Sequence, residues 1–133
     1  MSEWVEIADS AIVKYDVDKH LFWVRFMPHS VISGRSVWDI IDFILFHSSG
    51  TKFGIIGDFR EVLYIEEEAH RAFLTNPDTL IAVAVIMDEK KRGVLKDIFL
   101  KEYTLEYEHE FFYNESEAYS WLLQKISAIY DND

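Results

Sequence analysis

The stretch "GIIGDFREVLYIEEEAHRAF", residues 54–73, joins an apolar run to an acidic segment and decides the fold. Its beginning, within "KFGIIGDF" at residues 52–59, is typical of a central strand that is buried on both faces. The run closes on Asp58 and Arg60, and an acidic helix is predicted over residues 66–74. Because open α/β sheets bind ligands at the carboxyl ends of their strands, this stretch is either a functional site or a joint between two elements.

A second apolar run, "LIAVAVIM" at residues 80–87, predicts another central strand. A helix separates the two runs, so a right-handed crossover should place the strands side by side and parallel. "EYEHEFFYN", residues 106–114, is more polar and predicts a strand nearer the edge of the same sheet.

The first part of the chain has the pattern of antiparallel strands. Strands are predicted at residues 4–7, 11–17 and 20–27, with "DVDK" at residues 16–19 as the turn of a hairpin. The fold class is therefore α/β (α+β), with a mixed five- to six-stranded sheet, an N-terminal antiparallel hairpin and parallel central strands.

About four helices are expected to cover this sheet. The first, "VWDIIDFILFH" at residues 37–47, should be capped by Ser33 or Ser36 and ended by Gly50. The second is the acidic helix, the third covers residues 88 to about 100, and the fourth opens at Glu115 or Ser116. Helical spacing predicts three inward stripes: Val37, Ile40, Ile41, Ile44 and Leu45; then Val94, Leu95, Ile98 and Phe99; then Ala118, Tyr119, Leu122, Ile126 and Ile129.

The composition restricts the class of protein. A chain of 133 residues with 50% hydrophobic residues fits a single domain over residues 1–133. There is no cysteine, so disulfides, thiolate metal sites and cysteine nucleophiles are excluded. The net charge of −11 disfavours binding to nucleic acid or to anionic membranes. No apolar run approaches the length of a membrane span, so a soluble cytoplasmic domain is predicted.

Five segments in order resemble one family across residues 10–125: "GIIGDFREV", "IEEEAHRAF", "AVAVIMD", "LKDIFLKEY" and "FFYNESEAYSWL". The pattern resembles the STAS-like group, which includes bacterial anti-sigma-factor antagonists and the cytoplasmic tails of sulphate transporters. It is most similar to a small, stand-alone, uncharacterised bacterial branch. The resemblance implies a non-catalytic regulatory or scaffolding module that binds another protein. In regulatory members a phosphorylatable serine begins the helix after the central strand, but here Glu66 stands at the matching position.

Asp58 and Arg60 are the first candidate site, since residues two apart share one face of a strand. They form either a ligand clamp or a structural unit in which Asp58 accepts bonds from the next turn or pairs with Arg60. Glu66 and His70 are four apart on a helix, which permits a metal pair. Two ligands are too few for zinc, and acidic residues in a first helical turn complement the helix dipole, so no metal and no cofactor are predicted.

Two functions of different classes follow. In the first, a docking surface that carries Asp58, Arg60, Glu66, Glu67 and His70 binds another protein without catalysis. The alternative is a carrier or sensor of a small apolar or amphipathic ligand in a pocket between helices and sheet, held by Phe43, Phe46 and neighbouring aromatic residues with Arg60 or Lys91 at its polar end. Helix 37–47 and the edge strand near residues 108–113 are both compatible with a homodimer.

Overall fold

The two apolar runs are neighbouring parallel strands in the middle of a six-stranded sheet, as predicted. The computed structural model describes residues 3–91 and 105–131. Within these ranges the strands are β1 (Val5–Ile7), β2 (Ala11–Asp16), β3 (Leu21–Phe26), β4 (Val31–Ile32), β5 (Phe53–Asp58), β6 (Tyr64–Ile65), β7 (Leu80–Ile86) and β8 (His109–Phe112). The helices are α1 (Gly34–Ser48), α2 (Glu67–Ala72) and α3 (Glu115–Tyr130).

The large sheet has the strand order β1-β2-β3-β5-β7-β8. The first three strands pair antiparallel, and β3, β5, β7 and β8 pair parallel, which confirms the mixed sheet. The register places Ile55 beside Val83, and it places Asp58 beside Arg25 on one side and Ile86 on the other. β8 lies at the edge, as its polar sequence predicted.

Helix α1 begins three residues before the predicted start, at Gly34. The Ser33 side chain caps it by accepting a hydrogen bond from the backbone amide of Ser36 at 3.1 Å. The helix ends at Ser48, where the next residue, Ser49, adopts a left-handed conformation with φ of 49°. The inward position predicted for Leu45 is wrong, because this side chain is 39% exposed. The buried stripe of α1 runs through Val37, Ile40 and Ile44, and Leu45 lies beside it.

Side chains that precede them also cap the last helix and the first turn of the predicted third helix. Asn114 caps α3 by accepting a hydrogen bond from the amide of Glu117 at 2.9 Å. In the predicted third helix, the described part is a single 3₁₀ turn, Glu89–Lys91, where the amide of Lys90 donates to Asp88. The rest of that prediction, with Val94, Leu95, Ile98 and Phe99, lies outside the described residues. The described ranges therefore contain three α-helices against about four expected.

A second, very small sheet was not predicted. β4 and β6 each contain two residues and pair parallel, with Val31 beside Tyr64 and Ile32 beside Ile65. Strands of this length are too short to show a hydrophobic period in the sequence. Since α1 follows β4 and α2 follows β6, this pairing brings the first turns of the two helices together.

The large sheet separates two cores. On one face α1 and α2 cover aromatic residues such as Phe22 and Phe53. On the other face α3 packs against Ile56, and Leu122 and Ile126 approach Gly54. A Cβ atom at Gly54 would lie 2.7 Å from Cδ1 of Leu122, so the absent side chain allows α3 to pack this close.

We expect the variant Gly54→Ala to lower the free energy of unfolding by about 1 to 3 kcal/mol, because the added methyl group overpacks this core. Urea unfolding followed by circular dichroism measures the change. In the background Leu122→Ala, which removes the opposing side chain, the same change should cost clearly less. Equal costs in the two backgrounds would show that Leu122 does not limit the space at Gly54.

Candidate functional site

Asp58 is the last residue of β5, and its side chain is only 10% exposed. It accepts three hydrogen bonds from Arg60: the backbone amide and Nε reach Oδ1 at 3.1 and 3.0 Å, and Nη2 reaches Oδ2 at 2.6 Å. The chain turns immediately after the strand, so one carboxylate holds both the backbone and the side chain of the turn. Asp58 thus makes both contacts that were expected of a structural unit: it accepts a hydrogen bond from the next turn, and it pairs with Arg60.

Two residues from distant parts of the chain complete an ion-pair group, here called the edge network: Arg25, Asp58, Arg60 and Glu115. Arg25 lies beside Asp58 in the sheet, with Nε at 3.6 Å from Oδ2. Glu115, the first residue of α3, accepts from Nη2 of Arg25 at 2.7 Å and from Nη2 of Arg60 at 3.2 Å. The network therefore joins β3, β5 and the start of α3.

Two positive and two negative charges balance in the edge network. The hydrogen bond to Asp58 is the largest cause that raises the pKa of Arg60, and the charges of Asp58 and Glu115 act in the same direction. The ring of Trp4 lies 5.0 Å from Cζ of Arg25. Asp58 accepts from a backbone amide and from a guanidinium, so the network ties the turn after β5 to the strand.

The other predicted site residues lie elsewhere. Glu66 is the N-cap residue of α2, although its side chain makes no capping hydrogen bond. Glu67 is exposed and forms a pair with Arg71 at 3.4 Å. His70 is buried on the inner side of α2. The five predicted residues therefore do not form one exposed surface, because Asp58 and His70 are buried while Glu66 and Glu67 face solvent.

The residues proposed for metal or ligand binding can also be placed. Within residues 3–91 and 105–131, no three His, Asp or Glu side chains come together at a distance suited to a metal ion. Phe46 is 77% exposed, and the ring of Phe43 lies 4.2 Å from that of His47. Arg60 belongs to the edge network, and the side chain of Lys91 lies outside the described part of the chain. In the same ranges, none of the helices combines the length and the apolar character that crossing a membrane requires.

Sequence reasoning missed Arg25 and Glu115. Arg25 interrupts the strongly apolar strand "LFWVRF", and Glu115 follows the capping residue of the last helix. A charged residue inside a predicted strand is a signal for a partner. The sequence does not identify the partner of Arg25, because that partner is in reach only if β3 lies next to β5 rather than at the edge of the sheet.

One solved structure shares the fold of this chain, and one family model matches its sequence. A crystal structure of an uncharacterised DUF3478 protein with a SpoIIAA-like fold, from Shewanella loihica PV-4, matches with a TM-score of 0.61 and 15% identity, over 92% of this chain and 98% of that chain. This likeness confirms the predicted STAS-like fold. A model of the family described as "Domain of unknown function (DUF7793)" matches residues 15–126. No curated protein matches the chain.

We expect Asp58→Asn to lower the free energy of unfolding by about 2 kcal/mol at neutral pH. The amide keeps the shape of the side chain but leaves Arg60 and Arg25 with Glu115 as their shared carboxylate. Thermal unfolding monitored by calorimetry measures this loss. Glu67→Gln is the matched control, since its exposed pair with Arg71 should contribute less than about 0.5 kcal/mol. Equal effects of the two substitutions would contradict a structural role for the edge network.

Proposed function

We propose that this chain, which belongs to the DUF7793 family, is a non-catalytic module that binds another protein. The observation that carries this proposal is a group of exposed apolar side chains beside the acidic start of α2. Large exposed apolar groups that lie together on a soluble domain commonly mark an interaction surface. The edge network supports the non-catalytic part of the proposal, because its ionic groups are engaged with one another.

The centre of the proposed surface is the outer side of the small sheet. Val31, Leu63 and Tyr64 are 48%, 66% and 61% exposed, whereas Ile32 and Ile65 are buried beneath them. Backbone hydrogen bonds hold the two segments together, among them the amide of Leu63 donating to the carbonyl of Ser30 at 2.9 Å. The exposed residues are therefore neighbours on a fixed backbone, as a docking surface requires.

Helix α1 extends this surface. Gly34 in its first turn lies so close to α2 that a Cβ atom there would be 2.7 Å from Cβ of Glu68. Trp38 follows one turn later on the same side of α1 and is 48% exposed. Trp and Tyr are the residues that most often supply the binding energy of protein interfaces. Trp38 and Tyr64 are accordingly the proposed anchors.

The charge of this surface indicates the chemistry of the partner. Glu66, Glu67 and Glu68 are all exposed at the start of α2, and Arg71 is the basic residue that pairs with one of them. A complementary partner has an apolar centre surrounded by Lys and Arg side chains. Because the segment from Asp58 to Phe73 contains no Ser or Thr, the proposal includes no phosphorylation switch at this helix.

The charge part of the proposal predicts that Glu67→Lys with Glu68→Lys abolishes the complex with the native partner. Affinity capture from the native host, with quantitative mass spectrometry and purified wild-type protein as bait, identifies a stoichiometric partner. The control is Glu3→Lys with Glu6→Lys, which changes the net charge equally. Glu6 is exposed on β1 and alternates with Ile7, which belongs to the core on the α1 side, so the control leaves the docking surface intact.

The apolar part predicts that Tyr64→Ala weakens binding to the captured partner by more than about tenfold, as for an interface anchor. Isothermal calorimetry with the purified partner measures the affinity, and circular dichroism checks that the exposed substitution leaves the fold unchanged. Capture that survives both Tyr64→Ala and the double charge reversal would refute this surface. Failure to recover a stoichiometric partner with the wild-type bait would refute the proposed function.

A further inference from the structure

The two faces of the central strands are not packed equally. On the α3 side, Ile56, Ala84 and Ile86 are fully buried. On the α1 and α2 side, Ile55 and Val83 lie next to each other in register, yet each keeps accessible surface. The space beside them is a cavity of about 100 Å³ between the sheet and the two helices. Protein interiors seldom leave voids larger than a water molecule, so a cavity of this size in a domain core is unusual.

The walls of this cavity are apolar. The sheet contributes Val24, Ile55, Val83 and Val85, and α1 contributes Ile40 and Ile44. Of the described residues that line the cavity, Thr75 and Tyr107 carry polar side-chain atoms. The Tyr107 hydroxyl donates a hydrogen bond to the carbonyl of Phe73 at 2.9 Å, and burial raises the pKa of this group.

A water molecule needs two to four polar partners in a protein interior, whereas the described walls offer two hydroxyls, of which that of Tyr107 is engaged with the carbonyl of Phe73. Apolar cavities of this kind stay dry and accept small hydrocarbons or xenon. An engineered cavity of roughly 150 Å³ in another protein binds benzene, which sets the scale for the 100 Å³ here.

One end of the cavity reaches toward the surface. Phe73, Thr75, Leu80, Leu105 and Tyr107 line this end, and all of them are partly exposed. They follow α2, begin β7 or precede β8, so this end lies at the amino-terminal edge of the parallel strands. The edge network and the start of α2 lie at the opposite edge. Among the described residues, this end of the cavity therefore lies away from the proposed docking surface.

We propose that this cavity is a binding site for a short hydrocarbon group, either a free small hydrocarbon or the end of an alkyl chain. The group fills the space beside Ile55 and Val83 and gains dispersion contacts with the surrounding Ile and Val side chains. The cavity lies between helices and sheet, where the sequence-based alternative put a ligand, but Phe43 and Phe46, the residues predicted to hold that ligand, do not line it. The proposal is independent of the docking function.

The test is a titration of the full chain, labelled at the methyl groups of Ile, Leu and Val, with cyclopentane and separately with octanoate. NMR should show saturable shifts of the Ile55, Val83 and Val85 methyl groups, while the methyl groups of Ile56 and Leu122 on the other face should not move. Shifts with both probes assign the site to an alkyl end, and shifts with cyclopentane alone assign it to a free hydrocarbon. Absence of saturable shifts with either probe overturns the proposal.

Filling the cavity provides the second measurement. Val83→Phe should reduce cyclopentane affinity at least tenfold, whereas Ile81→Phe, on the same strand but on the α3 side, should leave it unchanged. If Val83→Phe does not fold, Ile55→Val enlarges the cavity with a milder change, and it should alter cyclopentane affinity at least threefold. Unchanged affinity in Ile55→Val would overturn the assignment to this cavity. Glu67→Lys with Glu68→Lys should bind cyclopentane like the wild type, which separates failure of this site from failure of the docking surface.

Discussion

The structure depends on burying the β5–β7 pair on both faces. These two strands are almost entirely apolar, and their parallel pairing requires connections that cross over the sheet. The sheet therefore needs a layer of helices on each side. Burial of apolar surface at roughly 25 cal/mol per Å² makes this arrangement the main source of stability. The antiparallel strands β1 and β2 widen the sheet beyond β3.

The two layers meet this requirement differently. On one face a single long helix, α3, packs closely because Gly54 presents no side chain to Leu122. On the other face the described part of the layer consists of α1 and α2, and a cavity of about 100 Å³ lies between these helices and the strands.

The two ends of the parallel strands also differ in chemistry. At the carboxyl end, the edge network neutralises its own charges and ties β3, β5 and the start of α3 together. Close to the same end of the fold, the small sheet of β4 and β6 aligns the first turns of α1 and α2 and leaves apolar side chains exposed. The ionic groups of the edge network are engaged with one another, whereas exposed apolar residues next to exposed acidic side chains favour association. The functional proposal follows from this contrast.

The sequence by itself determined the central strands and the antiparallel hairpin, and it limited the cap of α1 to Ser33 or Ser36 and placed Asp58 and Arg60 on one face at the end of a strand. These features depend on neighbouring residues, whose periodicity and spacing are visible in the chain. Only the tertiary structure decided that Glu115 joins the pair, that Leu45 faces solvent, and that the small sheet forms. The physical reason is that a partner distant in sequence, or the side of a wide apolar stripe that becomes buried, is selected by packing between elements. The cavity belongs to this second group, because it results from the distance between layers and not from any one segment.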